Sequence, residues 1–184
     1  QMLGTDVTGK TLGIIGMGRI GQAVALRAQG FRMPVLYAGR RPCSTPPSAT
    51  TWTHRPLEEV LTQADFLSLH VPLSDTTRHL IGSRELAMMK STAFLINTSR
   101  GPVVYEAALL AALRQGTIAG AGLDVYEQEP VILSGLEQLS NVVLLPHLGS
   151  ATYDARIKMG MICVENIAAV LGGRPPLNPV NREA

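Results

Sequence analysis

Short apolar runs alternate along the chain with stretches in which apolar residues recur at helical spacing. The apolar runs predict strands at residues 11–16, 34–38, 65–73, 93–99, 120–125 and 141–147. The helical patterns predict helices at residues 19–31, 56–64, 83–90, 103–115 and 152–171. Short buried strands that alternate with helices form parallel sheets covered on both faces. The pattern therefore predicts an α/β protein with a doubly wound parallel sheet.

Glycines, prolines and a helix-capping residue set the predicted ends of several elements. Ser83 is predicted to cap the third helix, and Gly116 is predicted to end the fourth. Gly172 and the glycine after it stop the last helix. The Pro-rich stretch 40–56 is predicted to be irregular. In the first helix, the apolar positions expected near one face are Ile20, Val24 and Leu26.

The composition indicates a folded protein and narrows the choice of partners. Of 184 residues, 46% are hydrophobic and 16% charged, as in globular domains. The net charge of +2 is too small to favour nucleic acid, and no apolar run reaches the ~18 residues of a membrane span. Cys43 and Cys163 have neither metal-binding spacing nor a disulfide framework, so no metal is expected and a cytoplasmic location is favoured. Because residue 1 is Gln, a cut from a longer protein or a processed product is expected.

A glycine motif follows the first predicted strand. Gly16, Gly18 and Gly21 form the pattern G-x-G-x-x-G between a strand and a helix, which is the context that a dinucleotide-binding turn requires. Gly16 allows the tight turn, Gly18 lets a pyrophosphate approach the backbone, and Gly21 lets helix and strand pack closely. The alternative is a tight turn without a ligand. The motif predicts a Rossmann-type dinucleotide-binding domain.

The end of the second strand carries positive charge where an NAD site has a carboxylate. Gly39 stands about where that carboxylate would accept hydrogen bonds from the ribose. Arg40 and Arg41 supply bidentate donors for a phosphate. The alternative is a solvated basic loop tip. The residues therefore predict NADP(H) as the cofactor, with NAD possible.

Further stretches match one family in order and spacing. They are "NTSRGPVV" (97–104), "AGAGLDVYEQEP" (119–130), "LLPHLGSAT" (144–152) and "PLNPVN" (176–181), in addition to "GIIGMGRIG" (13–21). Together they resemble the D-isomer-specific 2-hydroxyacid dehydrogenases over nearly the whole chain. The strand end "AGRR" is most similar to the NADPH-preferring glyoxylate/hydroxypyruvate reductases of that family.

Three residues of these motifs correspond to the family's catalytic trio. Arg100 can clamp the carboxylate of a 2-oxo acid through two parallel hydrogen bonds. His147 can give a proton to the ketone oxygen as hydride arrives at carbon, and Glu129 can orient the imidazole and favour its protonated form. Taken singly, each could be an ordinary surface or structural residue. The resemblance implies that they act together.

The resemblance also implies further cofactor contacts. The implied contacts are Arg19 and Ile20 on the phosphate turn, Val71, Pro72 and Thr77 on the adenosine side, and Thr98, Arg100, Asp124, His147, Gly149 and Ser150 around the nicotinamide. His54, His70 and His79 match no catalytic motif and are expected to be structural or exposed.

Members of the family carry a substrate domain that is largely absent from this chain. The expected division is a dinucleotide-binding domain over 1–151 and a returning helix and tail over 152–184. The apolar positions of that helix should then be partly exposed; they are Ile157, Met161, Val164, Ile167 and Leu171. A homodimer is expected. The 2-oxo acid substrate would be reduced by the intact parent.

Two other functions remain open from the residues. The first is a dinucleotide-sensing module similar to the family's corepressors. The second is a formate- or phosphite-type dehydrogenase on the same scaffold, although Glu129 and the arginine pair count against the formate version.

Overall fold

A computed structural model of the protein describes residues 4–43 and 52–181. Its sheet has seven strands, all paired in parallel. They are β1 (Leu12–Ile15), β2 (Val35–Ala38), β3 (Trp52–His54), β4 (Phe66–Leu69), β5 (Phe94–Asn97), β6 (Gly120–Leu123) and β7 (Val142–Leu144). The strand order is β3-β2-β1-β4-β5-β6-β7. The order reverses between β1 and β4, which is the switch point where doubly wound folds bind ligands.

Helices connect and flank the strands. They are α1 (Arg19–Ala28), α2 (Leu57–Gln63), α3 (Ser83–Met88), α4 (Glu106–Gln115) and α5 (Tyr153–Leu171), with short 3-10 turns at Gln29–Phe31 and Gly101–Val103. As predicted, α4 ends at Gly116, which is left-handed with φ 68°. No helix in the described ranges is both long and apolar enough to cross a membrane.

The chain forms two compact units, residues 1–146 and 147–184. The first unit contains the whole sheet, and its two core clusters lie on different parts of it. The cluster around β1 and β2 joins Ile14 and Tyr37 to Ala25 and Ala28 of α1. The larger cluster joins β4, β5 and β6 to α2, α3 and α4.

The second unit consists of α5 and the tail that follows it. Thr152 caps the helix by accepting a 3.2 Å hydrogen bond from Ala155 N. The tail is tied to the helix because Asn166 Oδ1 accepts from Asn178 N at 2.9 Å. The five apolar positions predicted to be partly exposed on α5 are between 50% and 83% exposed, which confirms that prediction. The predicted division into domains at 151 and 152 stays a prediction.

The doubly wound parallel sheet is confirmed, and the local differences have physical causes. The stretch 40–56 was expected to be irregular, but its end forms β3, because Trp52 is buried beside β2; residues 44–51 lie outside the described residues. The residue before α3 that occupies the cap is Gly82 rather than Ser83, and the Glu85 carboxylate accepts from Gly82 N at 3.1 Å. In α1 the fully buried residues are the small ones, Gly21, Ala25 and Ala28, and Val24 is half-buried against the same cluster. Ile20 and Leu26, expected near that face, are exposed. Small residues let this helix approach the sheet closely.

Candidate cofactor site

The turn after β1 is built from backbone. Gly16 has φ +95°, a conformation that L side chains rarely adopt, and a Cβ there would lie 2.7 Å from His70 O. A Cβ on Gly21 would collide with Gly16 O and lie 3.3 Å from Ile14 Cγ2. These two glycines are therefore required by the turn and by the packing of α1 on β1, as the motif predicted.

The N-terminus of α1 is open to an anion. Gly18 occupies the N-cap position, and no side chain among the described residues caps the helix. A Cβ on Gly18 would have no protein atom within 4 Å, so the space in front of it is free of the described chain. Arg19 and Ile20 beside it are exposed. Uncapped N–H groups at a positive helix end fit a pyrophosphate, so the residues present fit a dinucleotide.

The segment after β2 carries the two arginines. Gly39, Arg40 and Arg41 are all exposed. Among the described residues, the atom nearest to a Cβ on Gly39 would be Arg41 O at 3.9 Å, so these residues leave room for a side chain at this position. Packing of the described residues therefore does not require glycine at this position, and an acidic side chain would fit there.

The loop after β4 is held by its own hydrogen bonds. The Thr77 hydroxyl donates to Pro72 O at 2.6 Å and accepts from Ser74 N at 2.8 Å. Val71 is half-buried. His70 lies beside the Gly16 turn, with its Nε2 2.9 Å from Ser68 Oγ, and burial lowers the pKa of this imidazole. His70 therefore has a structural role beside the Gly16 turn, at the switch point of the sheet.

The turn after β5 is organised by a buried amide. Asn97 is 1% exposed, and its Oδ1 accepts from Ser99 N at 3.0 Å and from Ser99 Oγ at 2.8 Å. Its Nδ2 donates to Arg100 O at 3.0 Å. With Asn97 and Ser99 turned inward, Thr98 and Arg100 are exposed. The Arg100 guanidinium is held by a 2.6 Å hydrogen bond from its Nη1 to Ser99 O.

Two carboxylates link the loops after β5 and β6. Glu106 Oε1 accepts from Glu127 N, and Glu127 Oε1 accepts from Glu106 N, each at 2.7 Å. The second Glu127 oxygen lies 3.3 Å from His79 Nε2. Burial raises the pKa of the Glu106 carboxyl; the hydrogen bond from Glu127 N opposes this rise, and the Glu127 charge adds to it. A Cβ on Gly101 would overlap the Tyr126 carbonyl, so the two loops are in close contact.

The loop after β6 carries two predicted site residues. Asp124 is 4% exposed, and its backbone N–H donates to Asn97 O at 3.0 Å. Glu129 is exposed, and its Oε1 accepts from Tyr126 N at 3.1 Å.

The remaining predicted site residues belong to the second unit. His147, Gly149 and Ser150 are exposed. The backbone of His147 is left-handed, with φ 56°. Such a conformation is uncommon for a residue with a side chain, and it is over-represented at functional sites.

Within the first unit, the structure brings the predicted residues to one edge of the sheet. They follow β1, β2, β4, β5 and β6, and the carboxyl ends of parallel strands lie at the same edge. Sequence reasoning missed several residues that hold these loops: Tyr37, His54, Asn97, Glu106 and Glu127. Only Asn97 carried a local signal, because a polar residue at the end of an apolar strand usually bonds the turn that follows.

Comparison with known proteins identifies the class. The chain belongs to the D-isomer specific 2-hydroxyacid dehydrogenases, because its residues 1–149 match the family's NAD binding domain. It is 51% identical over 183 residues to a glyoxylate reductase of Thermococcus gammatolerans, covering 100% of this chain and 55% of the relative. It is 51% identical over 180 residues to a glyoxylate/hydroxypyruvate reductase B of Yersinia pestis, covering 97% of this chain and 55% of that protein.

A solved structure shows the same fold with a cofactor. It is the NADPH-dependent glyoxylate/hydroxypyruvate reductase of Sinorhizobium meliloti in complex with NADP and malonate, with a TM-score of 0.86 and 37% identity over 96% of this chain and 56% of that one. The chain thus spans about half the length of the proteins it matches. The comparisons give no support to the corepressor-like alternative.

Proposed function

We propose that this chain is the NADP(H)-binding part of a reductase that converts a small 2-oxo acid, such as glyoxylate or hydroxypyruvate, into a D-2-hydroxy acid. Three lines support the proposal: the family, the names of the relatives and the loops at the carboxyl edge of the sheet. A cytoplasmic location is part of the proposal and rests on the cysteine content; both cysteines are free thiols.

The cofactor would be held by residues of five loops. Gly16, Gly18, Arg19, Ile20 and Gly21 would hold the pyrophosphate, and Gly39, Arg40 and Arg41 the phosphorylated ribose. Val71, Pro72 and Thr77 would lie on the adenosine side, with Thr98, Asp124, Gly149 and Ser150 at the nicotinamide. When bound, the nicotinamide would supply a hydride for the ketone carbon.

The chain's own residues would handle the substrate's charge and proton. Arg100 would bind the substrate carboxylate through paired hydrogen bonds. His147 would supply the proton that the ketone oxygen takes up. Glu129 would orient the imidazole for that transfer.

One observation carries the proposal: the turn after β5. Asn97 is almost fully buried, and its side-chain amide forms the hydrogen bonds that fix the conformation of this turn. The result is an exposed guanidinium at the same sheet edge as an open helix N-terminus. A cation held beside a dinucleotide site is suited to an anionic substrate.

A chimera tests the activity. This chain would replace its counterpart in the Thermococcus glyoxylate reductase, and NADPH oxidation with glyoxylate would be followed. The chimera is expected to reduce glyoxylate, and Arg100→Met should mainly raise KM. The 184-residue chain alone should bind nucleotide without turnover, because positioning and water exclusion need the missing half. A folded chimera that binds NADPH but reduces neither glyoxylate nor hydroxypyruvate would refute the proposal.

Self-association is part of the proposal. The exposed apolar face of α5 includes Ile157, Ile167 and Leu171, which are 63%, 59% and 83% exposed. Burial of apolar surface is favourable by about 25 cal/mol per Å². We therefore expect a two-fold homodimer. Light scattering across concentrations would check it, and a monomer at every concentration would contradict it.

A further inference from the structure

The segment Gly39–Cys43 is held at both ends by side chains of β2 and β3. At one end, the Tyr37 hydroxyl accepts a 2.9 Å hydrogen bond from Cys43 N. At the other end, His54 Nε2 lies 3.1 Å from Gly39 O. Because a carbonyl oxygen can only accept, Nε2 carries the proton and the imidazole donates. The two rings also contact each other, with their centroids 5.1 Å apart.

The two anchors enclose the charged part of the segment. Arg40 and Arg41 lie between them and are exposed. Binding a phosphate orders both the arginine side chain and the loop that carries it, so the entropy lost is smaller when the backbone is already fixed. Tyr37 is 1% exposed, so the anchor at Cys43 is itself rigidly placed in the core.

We propose that His54 and Tyr37 are positioning residues for cofactor choice. They fix the backbone of Gly39–Cys43 so that the two arginines are presented to the 2′-phosphate of NADP(H). The inference rests on the proposed NADP(H) preference. It assigns a functional role to the edge strand β3.

The first test measures binding of two probes to the 184-residue chain by calorimetry. The probes are adenosine 2′,5′-bisphosphate and adenosine 5′-monophosphate, which differ by the phosphate in question. His54→Ala should weaken the bisphosphate by about fivefold, the effect of losing one hydrogen bond, and the monophosphate by less than about twofold. His54→Gln should restore most of the loss, because its amide can donate. Thr53→Ala, on the opposite face of β3, is the matched control and should change neither affinity.

The second test separates positioning from general destabilisation. If His54 acts through the two arginines, then His54→Ala should have no further effect on bisphosphate binding in a background that carries both Arg40→Ala and Arg41→Ala. Tyr37→Phe keeps the ring and removes the acceptor, and it should also weaken the bisphosphate selectively.

The outcomes are distinct. Equal loss for both probes, an undiminished effect in the background without both arginines, or no loss in either His54→Ala or Tyr37→Phe overturns the inference. If His54→Ala does not fold, Tyr37→Phe decides alone. Equal binding of the two probes by the unchanged chain would instead refute the NADP(H) preference itself, and this inference with it.

Discussion

The turn after β1 and the segment after β2 both face the proposed cofactor, but they are shaped in different ways. The first is determined by glycines at Gly16 and Gly21, where no side chain fits. The second has room for a side chain at Gly39 and is held in place by Tyr37 and His54. A loop shaped by its backbone can bind the pyrophosphate, which every dinucleotide contains. A loop held by side chains can instead distinguish one dinucleotide from another.

The largest effect should come from the backbone-built turn. Gly21→Ala places a methyl group against Gly16 O and should lower the free energy of unfolding by roughly 3 kcal/mol, the upper range for overpacking. Gly18→Ala is the matched control, since no atom of residues 4–43 or 52–181 lies within 4 Å of the new methyl. It should cost no more than about 1 kcal/mol of stability and still abolish NADPH binding. Urea unfolding and calorimetry would check both. Equal stability of the two variants would contradict this account of the turn.

The side-chain-held segment should instead change selectivity. Gly39→Asp restores a carboxylate at a position with room for it, so NADPH should bind more weakly and NADH more tightly, reversing the preference. Gly39→Asn has the same shape without the charge, and it should reduce the preference without reversing it. Titration of each variant with both cofactors measures this. A Gly39→Asp variant that still prefers NADPH would show that the arginines do not select the cofactor.

The loops after β5 and β6 offer a smaller test of side-chain support. Glu106→Ala leaves Glu127 N without its acceptor and should cost about 1–3 kcal/mol. Glu106→Gln keeps the acceptor and removes the charge, so at neutral pH it should be at least as stable as the unchanged chain.

The raised pKa of Glu106 also predicts how stability changes with pH. Because the folded-state pKa of Glu106 is raised, its stabilising contribution is complete below the unfolded pKa and is lost as pH rises through the folded pKa. Glu106→Gln should remove that loss in melts across mildly acidic pH. An identical pH profile in Glu106→Gln would contradict the assignment.

Sequence reasoning reached the features that depend on local chemistry. The glycine turn, the parallel sheet and the end of α4 at Gly116 follow from neighbouring residues. It failed where tertiary packing decides, as for β3, which becomes a strand because Trp52 is buried beside β2. The reciprocal hydrogen bonds of Glu106 and Glu127 join residues that are 21 positions apart, so no local sequence pattern predicts them.

The central claim is that this chain is a cofactor domain that prefers NADP(H). Calorimetric titration of the 184-residue chain with NADPH and with NADH tests it most directly. One charge-assisted hydrogen bond contributes about 1.5–3 kcal/mol, so NADPH should bind roughly ten- to a hundredfold more tightly. Equal affinity for the two cofactors, or tighter binding of NADH, would contradict the claim.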